Sequence, residues 1–183
     1  MRLYPHKQSV TARFTGDLSI FAAATGQFAG SQLLSSEEFG FGGEYFGRAF
    51  DFSEIAGDHG ATGKVELRYA RAADSVPFLR GMPLKDFQFF TYYDYGVAWR
   101  IDPVANGVVD GKHAQTGSSA GGGLRFSVND NISGSIEIDK PLTRDVSARG
   151  TDGEEPRLFF QLSANFQLQK VATIDINGFC RKR

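Results

Sequence analysis

Apolar and polar residues alternate along most of this chain with the period of two that sends successive side chains to opposite faces of a β-strand. The longest such run is Asp86 to Arg100. In it Phe87, Phe89, Thr91, Tyr93, Tyr95, Val97 and Trp99 share one face, and Gln88, Phe90, Tyr92, Asp94, Gly96, Ala98 and Arg100 the other. From Val10 to Phe28, Val10, Ala12, Phe14, Gly16, Leu18, Ile20 and Ala22 oppose Thr11, Arg13, Thr15, Asp17 and Ser19, with the firmest strand over 18–29. Val65, Leu67 and Tyr69 alternate with Lys64, Glu66, Arg68 and Ala70. Further runs lie over 119–129 (Leu124, Phe126, Val128), 132–138 (Ile132, Ile136, Ile138) and 157–166 (Leu158, Phe160, Leu162, Ala164, Phe166). The pattern predicts an all-β antiparallel meander of about six strands.

The joins alternate in kind. A long loop follows the first strand, a Pro/Gly turn (SVPFLRGMPL) the second, a polar loop the third, the tight Asn129-Asp130-Asn131 turn the fourth, and a polar loop the fifth. Short turns at one end and long loops at the other are the layout of an outer-membrane barrel. The run 86–100 is also long for a soluble strand, whereas a tilted strand crossing a bilayer needs ~9–11 residues plus flanks. Tyr93, Tyr95 and Trp99 stand toward one end of its apolar face, where an aromatic girdle would lie. A soluble β-barrel that binds an apolar ligand alternates in the same way with its apolar face inward, and periodicity does not separate the two.

The first long loop stands out. Between the flanking strands, GQFAGSQLLSSEEFGFGGEYFGRAFDFSEIAGDHGATG carries Phe39, Phe41, Tyr45, Phe46, Phe50 and Phe52, with Arg48 near its centre. Structureless connections beyond ~12–15 residues are uncommon, and disordered segments are poor in aromatics, so this loop should fold. Arg48 is flanked by aromatic and small residues that would bury its tip, and a buried guanidinium needs carboxylates or carbonyls. Asp94, on the polar face of the longest strand, is a candidate partner, with Gly96 leaving room beside it for an incoming chain. Arg100 and Arg68 are the alternative partners for Asp94.

Composition narrows the classes. The net charge is −1, which gives no field to recruit nucleic acid. High glycine (22) and phenylalanine (17) suit a turn-rich β-protein. The single Cys180 excludes an intramolecular disulfide, and His6, His59 and His113 share no metal-ligand spacing, so neither metal nor cofactor is expected. GDHGATGK at 57–64 fails as a phosphate loop, because Asp58 stands where the first glycine is needed and Val65 where Ser/Thr is needed. Glu37-Glu38 and Glu154-Glu155 read as solvated surface, and no nucleophile elbow or triad is present. Nothing in the sequence reads as an enzyme.

Taken together, GQFAGSQLLSSEEFGFGG, FGRAFDFSEIAGDHGATGKVELRY, YYDYGVAW, SAGGGLRF, EIDKPL and RLFFQLSANF resemble the C-terminal part of two-partner-secretion translocators of the haemolysin-activator type (ShlB/FhaC/HecB-like, Omp85 superfamily), over about residues 10–166. The tip Gly47-Arg48-Ala49-Phe50 matches that family's arginine-bearing tip, with alanine at 49 where glycine is usual. The resemblance implies the C-terminal part of a transmembrane β-barrel in the bacterial outer membrane, spanning residues 1–166, followed by an atypical tail over 167–183. It implies a loop folded inward, with Gly42 and Gly43 as hinge, Gly47, Arg48 and Phe50 as tip, Gly57 and Asp58 as return, and Asp94 and Gly96 as lumen partners. Phe166 would be the terminal aromatic that assembly machinery reads. The implied partners are a secreted exoprotein, outer-membrane lipid and the barrel-assembly machinery, with no nucleic acid. Six strands leave two open edges, so the resemblance also implies a fragment or truncated product of a larger translocator. The alternatives are an Omp85-type barrel-assembly factor, a non-functional product, and the soluble β-barrel.

Overall fold

A computed structural model describes residues 6–14, 16–81, 83–101, 104–105, 108–109, 114–143 and 155–165. In chain order the strands are β1 (His6–Arg13), β2 (Leu18–Gln27), β3 (Phe39–Phe41), β4 (Ile55–Gly57), β5 (His59–Ala72), β6 (Asp86–Trp99), β7 (Val104–Ala105), β8 (Val108–Val109), β9 (Ala114–Ser127), β10 (Ile132–Pro141) and β11 (Arg157–Ala164). Seven of them form one sheet in the order β1-β2-β5-β6-β9-β10-β11, every pair antiparallel. The sheet is open, with β1 and β11 as its edges. The small pairs β3–β4 and β7–β8 sit in the first and second long loops.

The main sheet has seven strands where the alternation predicts six. The run from Val10 to Phe28 is a hairpin, β1 and β2, whose Val10 pairs with Ala22 and Ala12 with Ile20. Paired positions share parity, so the period of two passes through the turn without a break and hides it. Two strands also start earlier than their alternation suggests: β5 at His59 and β9 at Ala114.

The two faces of the sheet are inverted relative to a soluble protein. Along β6, Phe90, Tyr92, Asp94, Gly96 and Ala98 are buried, while Phe89, Tyr93, Tyr95 and Trp99 are exposed. The same holds elsewhere: Val65, Leu67 and Tyr69 are exposed on β5, and Ile136 and Ile138 on β10, whereas Glu66 and Asp139 are buried. Water penalises such an apolar outer face and a hydrocarbon environment does not. Among the described residues no helix is long and apolar enough to cross a membrane, a statement that does not bear on strands.

By strand order and direction, β1–β2, β5–β6 and β9–β10 are joined at one end of the meander, and β2–β5, β6–β9 and β10–β11 at the other; the first group includes the segment between β5 and β6. The second of the first group is more than a tight turn, since it folds into two short 3₁₀ turns, Ala73–Ser75 and Pro77–Leu79. Phe166 and the tail 167–183 lie outside the described residues.

Candidate functional site

The loop 28–58 folds back onto the inner face of the sheet. Its base is the β3–β4 hairpin, which carries Phe39, Phe41 and Ile55; with Phe50 and Ala98 these form the buried apolar cluster. They fit because the sheet beneath lacks side chains. Gly96 pairs with Gly117 across β6 and β9, and a Cβ on Gly96 would overlap the Phe41 ring. A Cβ on Gly117 would overlap Ile55 and Phe41, and one on Gly60 would overlap Phe39. Three glycines on three neighbouring strands thus make a floor flat enough for aromatic rings to lie against the backbone. The room that Gly96 leaves is filled by Phe41.

Deeper in, the tip turns. The Phe50 N–H donates to Gly47 O at 2.8 Å, closing a turn over 47–50. Gly42, Gly43 and Gly47 have φ of 123°, 104° and 72°, a region favoured by glycine. Ala49 does not, so the alanine at this position carries no backbone strain; Ser53 is the non-glycine residue at positive φ among those described. Asp94 Oδ2 accepts from the Gly47 N–H at 2.9 Å and the Arg48 N–H at 3.3 Å, which fixes the turn against β6.

The Arg48 side chain is 7% exposed. Its Nη1 lies 2.8 Å from Glu137 Oε1 on β10, its Nη2 3.1 Å from Glu66 Oε2 on β5, and its Nε 3.7 Å from Asp94 Oδ2 on β6. The guanidinium also stacks over Tyr92 at 3.4 Å from the ring centroid. Burial alone would lower its pKa, but Glu137 and Asp94 foremost, with Glu66, raise it above the ordinary arginine value. The group is therefore a fixed positive charge.

In a flat sheet β5 and β10, with β6 and β9 between them, stand about 14 Å apart. One guanidinium reaches glutamates on both, with Glu66 and Glu137 meeting it from opposite sides.

Glu66 is shared. Arg68 Nε donates to its Oε1 at 2.6 Å and Arg125 Nη1 at 2.6 Å, so three arginines meet one carboxylate that is 1% exposed. Lys64 Nζ donates to the Tyr45 carbonyl at 2.8 Å, and Arg157 Nη1 of β11 lies 2.9 Å from Asp51 Oδ1. A cavity of about 650 Å³ remains between the tip and the wall, lined by Arg48, Glu66, Arg125, Glu137, Arg157 and Phe159 among others.

The return of the loop is tied as well. Asp58, 1% exposed, accepts from the Leu33 N–H at 2.5 Å and from the Ile101 N–H at 2.7 Å, one on each carboxylate oxygen. It therefore joins the start of the first long loop to the start of the second. Gly57 packs its α-carbon against the Trp99 backbone, where a Cβ would not fit.

The structure thus brings Gly42, Gly43, Gly47, Arg48, Phe50, Gly57, Asp58, Asp94 and Gly96 into one assembly, and Phe166 lies outside the described residues. Arg68 and Arg100, the alternative partners for Asp94, pair instead with Glu66 and with Glu38 at 3.9 Å. Sequence reasoning did not single out Glu66, Glu137, Arg125, Gly60 or Gly117. The available signal was parity, since Glu66, Asp94 and Glu137 all occupy the polar face of their strands.

Comparison with known families gives a match over residues 5–124 to the family described as "Haemolysin secretion/activation protein ShlB/FhaC/HecB". No curated protein matches the chain.

Proposed function

The chain belongs to the haemolysin secretion/activation proteins (ShlB/FhaC/HecB), outer-membrane translocators of two-partner secretion, and from that premise we propose how its loop serves export. The family consists of transporters rather than enzymes, and its partner is a secreted exoprotein. In our reading loop 28–58 is the inward plug of the translocation path, held by Arg48 at the tip and by the Phe39–Phe41 hairpin at the base. Asp94 acts as the receptor for the tip backbone, while Glu66 and Glu137 hold the guanidinium. The observation that carries this reading is Arg48 itself, a buried cation that joins loop residues to carboxylates on three strands of the wall. Outer-membrane lipid and the barrel-assembly machinery are the further partners that insertion of such a wall requires. The soluble-barrel alternative requires the apolar face inward, opposite to the burial along β6.

The test is export of the exoprotein partner by an Arg48→Ala variant. Removing the guanidinium takes the cation from Glu137 and Asp94 while Glu66 keeps Arg68 and Arg125, and breaking a buried ion cluster in this way costs about 3–5 kcal/mol. Secretion should fall steeply while the amount of protein in the outer membrane stays level. Unchanged secretion would overturn the role given to the tip.

A further inference from the structure

The outward face of the sheet is not uniformly smooth. Across the row Leu67–Thr91–Gly122–Ile138 the third position has no side chain. Phe89, Leu124 and Ile136 wall the next row toward the turns. Together they enclose an open groove of about 670 Å³ whose lining is almost wholly apolar. The polar atom of Thr91 is already used, since its Oγ1 donates to Gly121 O at 3.0 Å. At its turn end the groove reaches Tyr69, whose hydroxyl receives Arg71 Nη1 at 3.4 Å. Arg71 shares Tyr69's outward parity one step nearer the turns, and its side chain is 39% exposed beside Asp17 at 3.4 Å.

We propose that this groove binds one glycerophospholipid, with an acyl chain lying over Gly122 and the phosphate at Arg71. The inference goes beyond the export reading and rests only on the membrane placement of the wall. An apolar trough on a face turned to hydrocarbon is filled by hydrocarbon, because nothing else there lowers the cost of the void. A basic group beside a tyrosine at the interfacial end gives the headgroup a charge-assisted partner. Short turns of outer-membrane barrels face the periplasm, which places this end in the inner leaflet. At the other end Lys140 stands on the same outward face two positions beyond Ile138, and it provides the internal control.

The experiment uses the full chain, extracted from membranes in mild detergent and offered phosphatidylglycerol, with bound lipid counted by native mass spectrometry. Thr91→Phe fills the groove from the β6 side without touching the glycine backbone, and Ile138→Trp fills it from β10 should the first variant fold poorly. Either filled variant should retain less lipid by about tenfold, and Arg71→Gln by about fivefold. Lys140→Gln should retain it as the unaltered chain does. Equal retention in the filled variant, equal retention in Arg71→Gln, or loss in Lys140→Gln instead would each overturn the proposal. A urea wash of the membranes separates this failure from a failure of membrane placement, since a chain that washes off overturns both.

Discussion

The loop is held at two places by opposite means. At its base Phe39, Phe41 and Ile55 lie on Gly60, Gly96 and Gly117, and no charged side chain takes part in the cluster. At its tip a single guanidinium is surrounded by Glu66, Glu137 and Asp94. The base depends on absent atoms, because Phe39, Phe41 and Ile55 lie where the wall lacks a Cβ. The tip depends on present charges, and it is redundant on the wall side: Glu66 keeps Arg68 and Arg125 whether or not Arg48 is there. Shape therefore fixes where the hairpin sits, and charge fixes how far the tip reaches across the wall. Withdrawal of the tip would leave Glu66 still paired, but it would strip Glu137 of the cation bound at 2.8 Å.

The largest effect should come from Glu66→Ala, which strikes the tip from the wall side. Arg48, Arg68 and Arg125 would lose a common buried carboxylate, and an uncompensated buried charge costs about 3–5 kcal/mol. Hydrogen exchange over residues 47–50 should rise strongly, while the hairpin amides of Phe39 and Phe41 remain protected. Equal loss of protection at tip and base would show that the two anchors are one cooperative unit, and the contrast drawn above would fail.

The base should break next. Gly96→Ala places a methyl group where the Phe41 ring lies, and Gly47→Ala, from the tip side, places one 2.7 Å from the same ring at a φ of 72°. Overpacking of this kind costs about 1–3 kcal/mol. Protease cleavage within 39–57 should increase in both variants, with secretion lowered in proportion. For Gly96→Ala, a compensating Phe41→Leu should restore part of the protection by freeing ring volume. No rescue would mean that Gly96 is required for backbone reasons other than the fit of Phe41.

The sequence shows the tip more readily than its receptors, and the reason is physical. Arg48 stands out because it is a lone cation among Phe46, Phe50 and small residues, and Asp94 because it is a carboxylate on the polar face of the longest strand with Gly96 beside it. Alternation tells which face a residue occupies, but the row it occupies depends on register across strands, which local periodicity does not encode. Glu66 and Glu137 are therefore indistinguishable from any polar-face carboxylate until β5 and β10 are aligned through β6 and β9. The glycine floor is hidden for the same reason: Gly96 and Gly117 are far apart in the chain and become neighbours by pairing. The β3–β4 hairpin escapes because strands of three residues are shorter than the window in which a period can be recognised.

The smallest effect tests which tip residue needs to be glycine. The resemblance read from the sequence leads one to expect glycine at the position of Ala49, and with it a left-handed backbone there; the structure assigns positive φ to Gly47 and not to Ala49. Ala49 is 1% exposed, so its methyl group is already packed. Ala49→Gly therefore offers no relief of strain, removes that contact and adds unfolded-state freedom, a loss of about 0.5–1 kcal/mol. Exchange over 47–50 should become slightly faster and secretion should stay near that of the unaltered chain. A gain in protection on Ala49→Gly would instead locate the strain at 49 and require the turn to be redrawn with its left-handed residue two positions later than Gly47.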